Sequence, residues 1–197
     1  MTPAHFDDMF AHDDDPWKFR SRWYEARKRA ITMACLPELR YRRAFEPGCA
    51  NGELSALLAD RCDSLLAWDG SPRAVKIARQ RFAGLDHVRV AHGWMPADWP
   101  DERFDLIVVS ELGYFLSAAD LELLIARIKS SVDERTTVLA CHWRPRIHGC
   151  ALDGDAVHRR LDAELGLPHL SRVVEADFRL DVWSRDPRSV GEREGLA

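Results

Sequence analysis

The sequence has no long apolar run and no excess of basic charge. None of its apolar stretches reaches the roughly 18 residues of a membrane-spanning helix, so no membrane association is expected. The formal net charge of −4 argues against nucleic acid as a partner, because nucleic-acid binding depends on a basic surface. The opening residues are acidic and lack the apolar core of a secretion signal. These absences predict a cytoplasmic protein.

Cysteine is scarce and shows no pairing pattern. The five cysteines are odd in number, widely spaced and mostly in apolar surroundings, which favours reduced thiols over a disulfide framework. Cys141, His142, His148 and Cys150 are metal-ligand residue types, but their spacings match no standard zinc module. On a strand, Cys141 would also point away from His142. No metal site is therefore predicted.

The chain contains no internal repeat and no low-complexity segment, which favours one domain. We expect a mobile N-terminus over residues 1–14, a single domain over residues 15–186 and a loose tail over residues 187–197. Asp15 and Pro16 predict the start of a helix that runs to about residue 35. The apolar side of this helix would consist of Phe19, Trp23, Ala26, Ala30 and Ala34. The basic residues between Lys18 and Arg29 would form a solvated face, or else the rim of a substrate site.

Strands and helices then alternate along the chain. Strands are expected over residues 42–46, 64–69, 88–91, 104–110 and 136–141, with two further short strands between residues 172 and 183. The run FDLIVVS at residues 104–110 has the continuous apolar character of a parallel strand covered on both faces. The pattern predicts an α/β fold with a doubly wound, mostly parallel, seven-stranded sheet.

The most informative segment is AFEPGCANGELSALLA at residues 44–59, where a strand ends in an acid, turns at Gly48 and enters a helix after Gly52. A glycine at this corner lets the backbone approach a ligand, and the helix presents unpaired N–H groups. Glu46 would repel a pyrophosphate but suits an ammonium or a sulfonium group. S-adenosylmethionine carries both groups. The alternative is a plain strand-to-helix corner.

The second strand ends at Asp69, seventeen positions after Gly52, where an acid can accept hydrogen bonds from ribose hydroxyls; Gly70 follows it. No Gly-Lys-Ser/Thr motif follows Gly48, which excludes a phosphate loop. An NAD site is disfavoured by Glu46, by Ala50 and by the lack of a third glycine, although a nicotinamide oxidoreductase stays an alternative.

Later strand ends add candidates for both ligands. Trp94 and Met95, after the third strand, are predicted to lie against an adenine ring, or else to form a hydrophobic patch under a loop. Ser110 closes the fourth strand. Glu111 follows it and would bind or deprotonate an ammonium substrate, unless it is a capping or salt-bridged acid. The predicted acceptor side comprises Tyr24, Glu111, Tyr114 and His142.

The motifs resemble those of class I S-adenosylmethionine-dependent methyltransferases. The similarity is closer to the nodulation protein S family, whose members N-methylate the amino sugar of chitin-like oligosaccharides. It covers residues 15 to about 135 and rests on DPW at 15–17, WYE at 23–25, RK at 27–28 and FEPGC at 45–49. The resemblance implies a Rossmann-like fold with an N-terminal helical lid. It also implies S-adenosylmethionine as cofactor and S-adenosylhomocysteine as product.

Residue by residue, the resemblance assigns the methionine part of the cofactor to Gly48, Cys49 and Gly52, its amino group to Glu46, the ribose to Asp69 and the adenine to Trp94. Two positions depart from the family pattern. Ala50 replaces the usual middle glycine, and Gly93 stands where many members have an acid that holds the adenine amine.

The acceptor stays open at this point, because the segment HWRPRIHG after the fifth strand does not match the nodulation enzymes. We expect a methyl transfer to an amine or hydroxyl of a small molecule, with an amino sugar as a candidate. A non-catalytic S-adenosylmethionine-binding module is a further alternative. An RNA methyltransferase would need a basic surface that the composition does not supply. The sequence leaves the oligomeric state open.

Overall fold

The computed structural model describes residues 2–196, which form one sheet with helices on both faces. The strands are β1 (Ala44–Pro47), β2 (Leu65–Asp69), β3 (Val88–His92), β4 (Phe104–Ser110), β5 (Val132–Trp143), β6 (His169–Val174) and β7 (Phe178–Ser184). The helices are α1 (Pro3–His12), α2 (Trp23–Ala34), α3 (Glu53–Ala59), α4 (Pro72–Arg81), α5 (Ala118–Ser131), α6 (Gly154–Glu164) and α7 (Val190–Arg193). Within residues 2–196, none of the helices has the length and apolar character needed to cross a membrane.

The seven strands lie in the order β3-β2-β1-β4-β5-β7-β6. The five strands from β3 to β5 are parallel, and β7 runs antiparallel to both β5 and β6. The chain winds outwards from β1 in one direction and from β4 in the other, so a crevice forms at the carboxyl ends of these two central strands. The predicted fold class is confirmed.

Helix caps and apolar stripes account for the regular elements. The Ser71 side chain accepts a hydrogen bond from the Ala74 amide at the start of α4, and Ser117 does the same for Asp120 at the start of α5. Four residues of α5 at helical spacing are buried: Leu121, Leu124, Ile125 and Ile128. All residues of β4 from Phe104 to Val109 are buried, as expected for a strand between two helical layers.

Both ends of the chain, for which mobile segments were expected, contain a helix with contacts to the rest of the fold. The N-terminal segment contains α1, in which Phe10 is buried and the Asp7 carboxylate accepts a hydrogen bond from Ser71 Oγ at 2.7 Å. The C-terminal segment contains α7, where Arg193 forms an ion pair with Glu38 at 2.8 Å. These contacts join residues far apart in sequence, so local composition did not reveal them. Met1 and Ala197 lie outside the described residues.

The helix predicted from residue 15 begins later, at Trp23. The Asp15 carboxylate instead accepts hydrogen bonds from the Phe19 and Arg20 amides and closes a separate turn, in which Lys18 has a φ of +61°.

The predicted apolar face of this helix is also wrong. Trp23 is 77% exposed, and Ala30 and Ala34 are exposed too. The buried side chains of α2 are Glu25, Lys28 and Thr32. The polar side of α2 faces inwards because a cavity with charged walls lies beneath it.

Candidate functional site

A cavity of about 680 Å³ opens at the carboxyl ends of β1, β2, β4 and β5, and α1 and α2 form part of its wall. Most of the predicted site residues meet here. On the predicted cofactor side these are Glu46, Gly48, Cys49, Asp69, Gly70, Trp94, Met95 and Ser110. On the predicted acceptor side they are Tyr24, Glu111 and Tyr114. Gly52 and His142 do not line the cavity.

The loop between β1 and α3 is held in a conformation that only some residues adopt easily. Gly48 and Gly52 have φ values of +80° and +81°, and Ala50 has a φ of +50°. The Gly48 and Cys49 amides donate to the carbonyl of Trp68 at 2.7 and 2.9 Å, which fixes the loop to β2. A Cβ at Gly52 would lie 2.8 Å from the Phe82 ring. Gly52 thus serves the packing of α3, not the cavity surface.

Two carboxyl groups, buried Glu46 and half-buried Asp69, stand at the ends of β1 and β2. Burial raises the pKa of Glu46 to about 8, although a hydrogen bond from Ser55 Oγ at 2.5 Å favours the ionised form. Burial also raises the pKa of Asp69, whose two oxygens accept hydrogen bonds from the Ala50 and Ser71 amides at 2.8 Å each. Desolvated acids of this kind are suited to an ammonium group and to hydroxyl donors.

The far end of the cavity is lined by Trp94 and by two glycines, Gly70 and Gly93, each of which lies against a tryptophan ring. A Cβ at Gly70 would come within 2.3 Å of the Trp94 ring, and a Cβ at Gly93 within 2.4 Å of the Trp68 ring. The Trp68 ring therefore occupies the space that an acidic side chain at position 93 would need. Trp94 also contacts Phe6 of α1, with ring centroids 6.2 Å apart. This end offers aromatic surface for a flat ring.

Glu111 is the centre of a charged cluster between β4 and α2, and its backbone has a φ of +55°. Its Oε1 accepts from Lys28 Nζ at 2.5 Å, and its Oε2 accepts from the Trp143 amide at 2.9 Å and from the Tyr114 hydroxyl. Lys28 also pairs with Glu25 at 3.1 Å. Burial alone would lower the pKa of Lys28, but the two carboxylates raise it above its ordinary value. Lys28 is therefore a permanent cation that keeps Glu111 in one position.

Tyr24 presents an unused hydroxyl beside this cluster. Its oxygen is buried and has no hydrogen-bond partner within residues 2–196. Its ring lies edge-to-face against Trp143, with centroids 5.6 Å apart, and Lys28 Nζ is 5.0 Å from its centroid. Because a buried hydroxyl without a partner is costly, a ligand that hydrogen-bonds to it would gain affinity.

His142 is not on the acceptor side, contrary to the sequence-based prediction. Its side chain is fully buried, and its Nε2 accepts from the Gly113 amide at 3.0 Å. That bond leaves the ring proton on Nδ1, which lies 3.1 Å from His158 Nε2, and His158 Nδ1 lies 2.6 Å from Asp181. The strand end does carry His142 to the right edge of the sheet, but its side chain points beneath the loop that holds Tyr114.

Several cavity residues were missed by sequence reasoning. The sequence-based prediction gave no role to Asn51 or Glu25, and it placed Lys28 and Arg29 on a solvated helix face. Asn51 donates to the Asp15 carboxylate at 3.1 Å, and its Oδ1 has no partner in the described part of the chain. Glu25, Lys28 and Thr32 are spaced so that they share one face of α2. This spacing would have indicated their burial only if a polar inner face of the helix had been expected.

The family model for nodulation protein S matches residues 4–147 of this chain. Nodulation protein S from Sinorhizobium fredii is 29% identical over 147 residues, which are 72% of this chain and 63% of that protein. The protein of the same name from Bradyrhizobium diazoefficiens is 32% identical over 108 residues, which are 52% of this chain and 50% of that protein. The chain therefore spans about one half to two thirds of the length of these curated relatives.

Two solved structures also resemble this chain. A Pseudomonas syringae protein, crystallised as a proposed methyltransferase, is 52% identical with a TM-score of 0.75, covering 83% of this chain and 99% of that one. The N-methyltransferase NodS from Bradyrhizobium japonicum, in complex with S-adenosylhomocysteine, has a TM-score of 0.82 at 24% identity, covering 94% and 98% of the two chains. At that identity the second likeness concerns the fold. By the family model that matches residues 4–147, this chain belongs to the nodulation protein S family.

Proposed function

We propose that the protein is an S-adenosylmethionine-dependent methyltransferase that acts on an amine of a small molecule. The observation that carries the proposal is one cavity in which Glu46 and Asp69 stand at the ends of adjacent strands and Glu111 faces them from β4. These groups match the parts of the cofactor: Glu46 suits its ammonium group, Asp69 its ribose hydroxyls, and the aromatic end of the cavity its adenine. The family relationship supports the same proposal.

The cofactor side would use residues already fixed by the fold. Glu46 would bind the amino group, the backbone at Gly48 and Cys49 would contact the methionine part, and Asp69 would accept from the ribose. Trp94 and Met95 would cover the adenine. Cofactor binding brings a sulfonium methyl that is already activated for transfer, so the protein mainly has to align the acceptor and exclude water.

The acceptor side is rich in fixed hydrogen-bond groups. Glu111 is held by Lys28, Tyr114 and the Trp143 amide, so its carboxylate can orient an amine without moving. An ammonium group must lose its proton before it can attack carbon, and a carboxylate in this position can receive that proton. The cavity therefore favours an amine over a neutral hydroxyl acceptor.

An amino sugar fits the remaining features of this side. The rings of Tyr24 and Trp143 form an aromatic corner, and the Tyr24 hydroxyl is free to bond to a sugar hydroxyl. Glu25 and Asp177 also line the cavity and add negative charge for a cationic acceptor. We further propose a cytoplasmic location, which is supported by five cysteines that are all free thiols.

The first test is calorimetric titration with S-adenosylhomocysteine and, on the same preparation, with NADH. Micromolar binding of S-adenosylhomocysteine alone is expected, and binding of NADH alone, or of neither, would overturn the proposal. Turnover is then measured with S-adenosylmethionine and a panel of amines that includes glucosamine and partly deacetylated chitin oligosaccharides. Cofactor binding with no methyl transfer across the panel would instead favour a non-catalytic binding module.

A further inference from the structure

Three basic side chains of the helical segment from Arg22 onwards line the cavity: Arg22, Lys28 and Arg29. Lys28 is already paired with two carboxylates. Arg22 is exposed, so water can solvate its guanidinium. Arg29 differs from both, because its Nη1 is buried and has no hydrogen-bond partner among residues 2–196. Arg29 is therefore a half-buried cation on this wall, with a buried nitrogen with which a ligand can still pair.

A buried guanidinium nitrogen without a partner is an unfavourable arrangement. Guanidinium stays charged at all ordinary pH values, so the group cannot relieve the cost by losing a proton. The planar fork of nitrogens matches a carboxylate in a bidentate geometry, which gives one of the stronger side-chain interactions. The ligand group that this site fits is consequently a small planar anion.

The position of Arg29 on α2 indicates which ligand carries this anion. Tyr24 contacts Trp143 and Phe178 on the acceptor side of the cavity. Arg29 follows Tyr24 by five residues and therefore points about 140° away from it around the helix axis. The neighbour of α2 among the helices is α3, which follows the Gly48 loop. Arg29 is thus turned away from the acceptor corner.

We propose that Arg29 binds the α-carboxylate of the methionine part of the cofactor. The inference rests on the proposed function and adds a residue to it. Glu46 and Arg29 then form a pair of opposite charges, one for each charge of the amino-acid zwitterion. Together they would select ligands that carry an intact amino acid over nucleosides that lack one.

The test uses calorimetry to compare S-adenosylhomocysteine with its decarboxylated analogue. In this analogue an aminopropyl group replaces the aminocarboxypropyl group on the sulfur, so only the carboxylate is missing. Arg29→Met should weaken binding of S-adenosylhomocysteine by about 10- to 100-fold, which is the usual range for loss of a charged hydrogen-bonded pair. The carboxylate-free analogue should bind wild type and Arg29→Met equally. Arg29→Lys should restore part of the affinity.

Arg27→Met is the matched control, because Arg27 lies on the same helix and pairs with Glu175 outside the cavity. It should leave both affinities unchanged. Thermal unfolding without ligand should show that Arg29→Met is folded and no less stable than wild type, since the lost group had no partner.

Each outcome bears on a different claim. Failure of the wild type to bind S-adenosylhomocysteine would overturn the proposed function itself. Normal binding by wild type and undiminished binding by Arg29→Met would overturn only the role of Arg29. An equal loss for both ligands in Arg29→Met would also overturn it, because the effect would then not depend on the carboxylate.

Discussion

Glu46 is a buried carboxyl group whose protonation we expect to change when the proposed cofactor binds. Its ordinary pKa of 4.5 is raised to about 8 by burial, so between these two pH values the folded protein holds a proton that an exposed glutamate would have released. A bound ammonium favours the ionised form and lowers this pKa again. Binding of the proposed cofactor should therefore expel the proton below pH 8.

We expect S-adenosylhomocysteine binding at pH 7 to release up to one proton from Glu46. The measurement is calorimetry in two buffers of different ionisation enthalpy. Glu46→Gln should bind S-adenosylhomocysteine more weakly and should release correspondingly fewer protons on binding. Equal proton release by wild type and Glu46→Gln would show that another group is responsible.

Glu111→Gln tests the acceptor side. The amide keeps the size of the side chain but cannot accept a proton, so turnover should fall by roughly 10²- to 10⁴-fold with little change in affinity for S-adenosylhomocysteine. Steady-state kinetics and calorimetry measure the two quantities. Glu122→Gln, at an exposed position of α5, is the control. Unchanged turnover in Glu111→Gln would contradict the proposed role.

At the residue scale, the ends of β1, β2 and β4 were a good guide, whereas the inner face of α2 was not predicted. Glu46, Asp69 and Glu111 could be placed from sequence because each lies at the end of an apolar strand or directly after it, and parallel strands end at one edge. Lys28 and Arg29 could not, because a lysine or arginine is buried only when distant partners or a ligand compensate its charge. Those partners, such as Glu111, are recognisable only after folding brings them to α2.

Helix α1 is an added element that completes the cavity wall. Asp7 accepts from Ser71 Oγ and the Arg73 amide and pairs with the Arg73 side chain, while Phe6 contacts Trp94 and Phe115. Its residues thereby reach both the N-terminal end of α4 and the aromatic end of the cavity. The helix can act as a lid only as long as these contacts hold.

Asp7→Ala should loosen α1 without altering the sheet. The expected result is a several-fold weaker affinity for S-adenosylhomocysteine, as for loss of one or two hydrogen bonds, and faster proteolysis within residues 3–12. Calorimetry and limited proteolysis measure these effects. Asp8→Ala, which changes an exposed neighbour, should behave like wild type. Comparable behaviour of both variants would contradict a lid held by Asp7.

Elements with strong local signals were predicted well, and those stabilised by remote contacts were not. The buried strand β4 and the α5 stripe follow from apolar spacing, and Ser71 and Ser117 mark two helix starts. By contrast, α1 has only a weak pattern of apolar residues and a start without a side-chain cap. Its stability comes from Ser71 and Arg73, more than sixty residues further along the chain.

For the whole molecule, the buried network around Asp181 joins the antiparallel edge of the sheet to the site. The carboxylate accepts from His158, His169, Arg172 and Arg179 at 2.5 to 2.7 Å. Burial alone would raise the pKa of Asp181, but these bonds hold it below its ordinary value. This contribution to stability is present above the ordinary pKa and is lost as the pH falls through the lowered one.

Asp181→Asn should lower the free energy of unfolding at pH 7 by about 3 to 5 kcal/mol, because Asp181 is fully buried and Arg179, which is largely buried, loses its counter-charge. Urea unfolding provides the measurement. Asp63→Asn, which removes an exposed carboxylate paired with exposed Arg40, should have little effect. Similar stability of the two variants would contradict a structural role for the buried network.

The docking of α1 and α2 also bears on the order in which the protein is assembled during synthesis. These helices leave the ribosome before the strands of the sheet, but their contact partners are synthesised later. Lys28 can pair with Glu111, and Arg27 with Glu175, only after those residues have been made; Glu175 is 148 residues further along than Arg27. The first helical segments to be made are therefore among the last to reach their final contacts. The sheet can begin to form while the cavity is still open on one side, and the contacts of α2 are complete only after Glu175 has been synthesised.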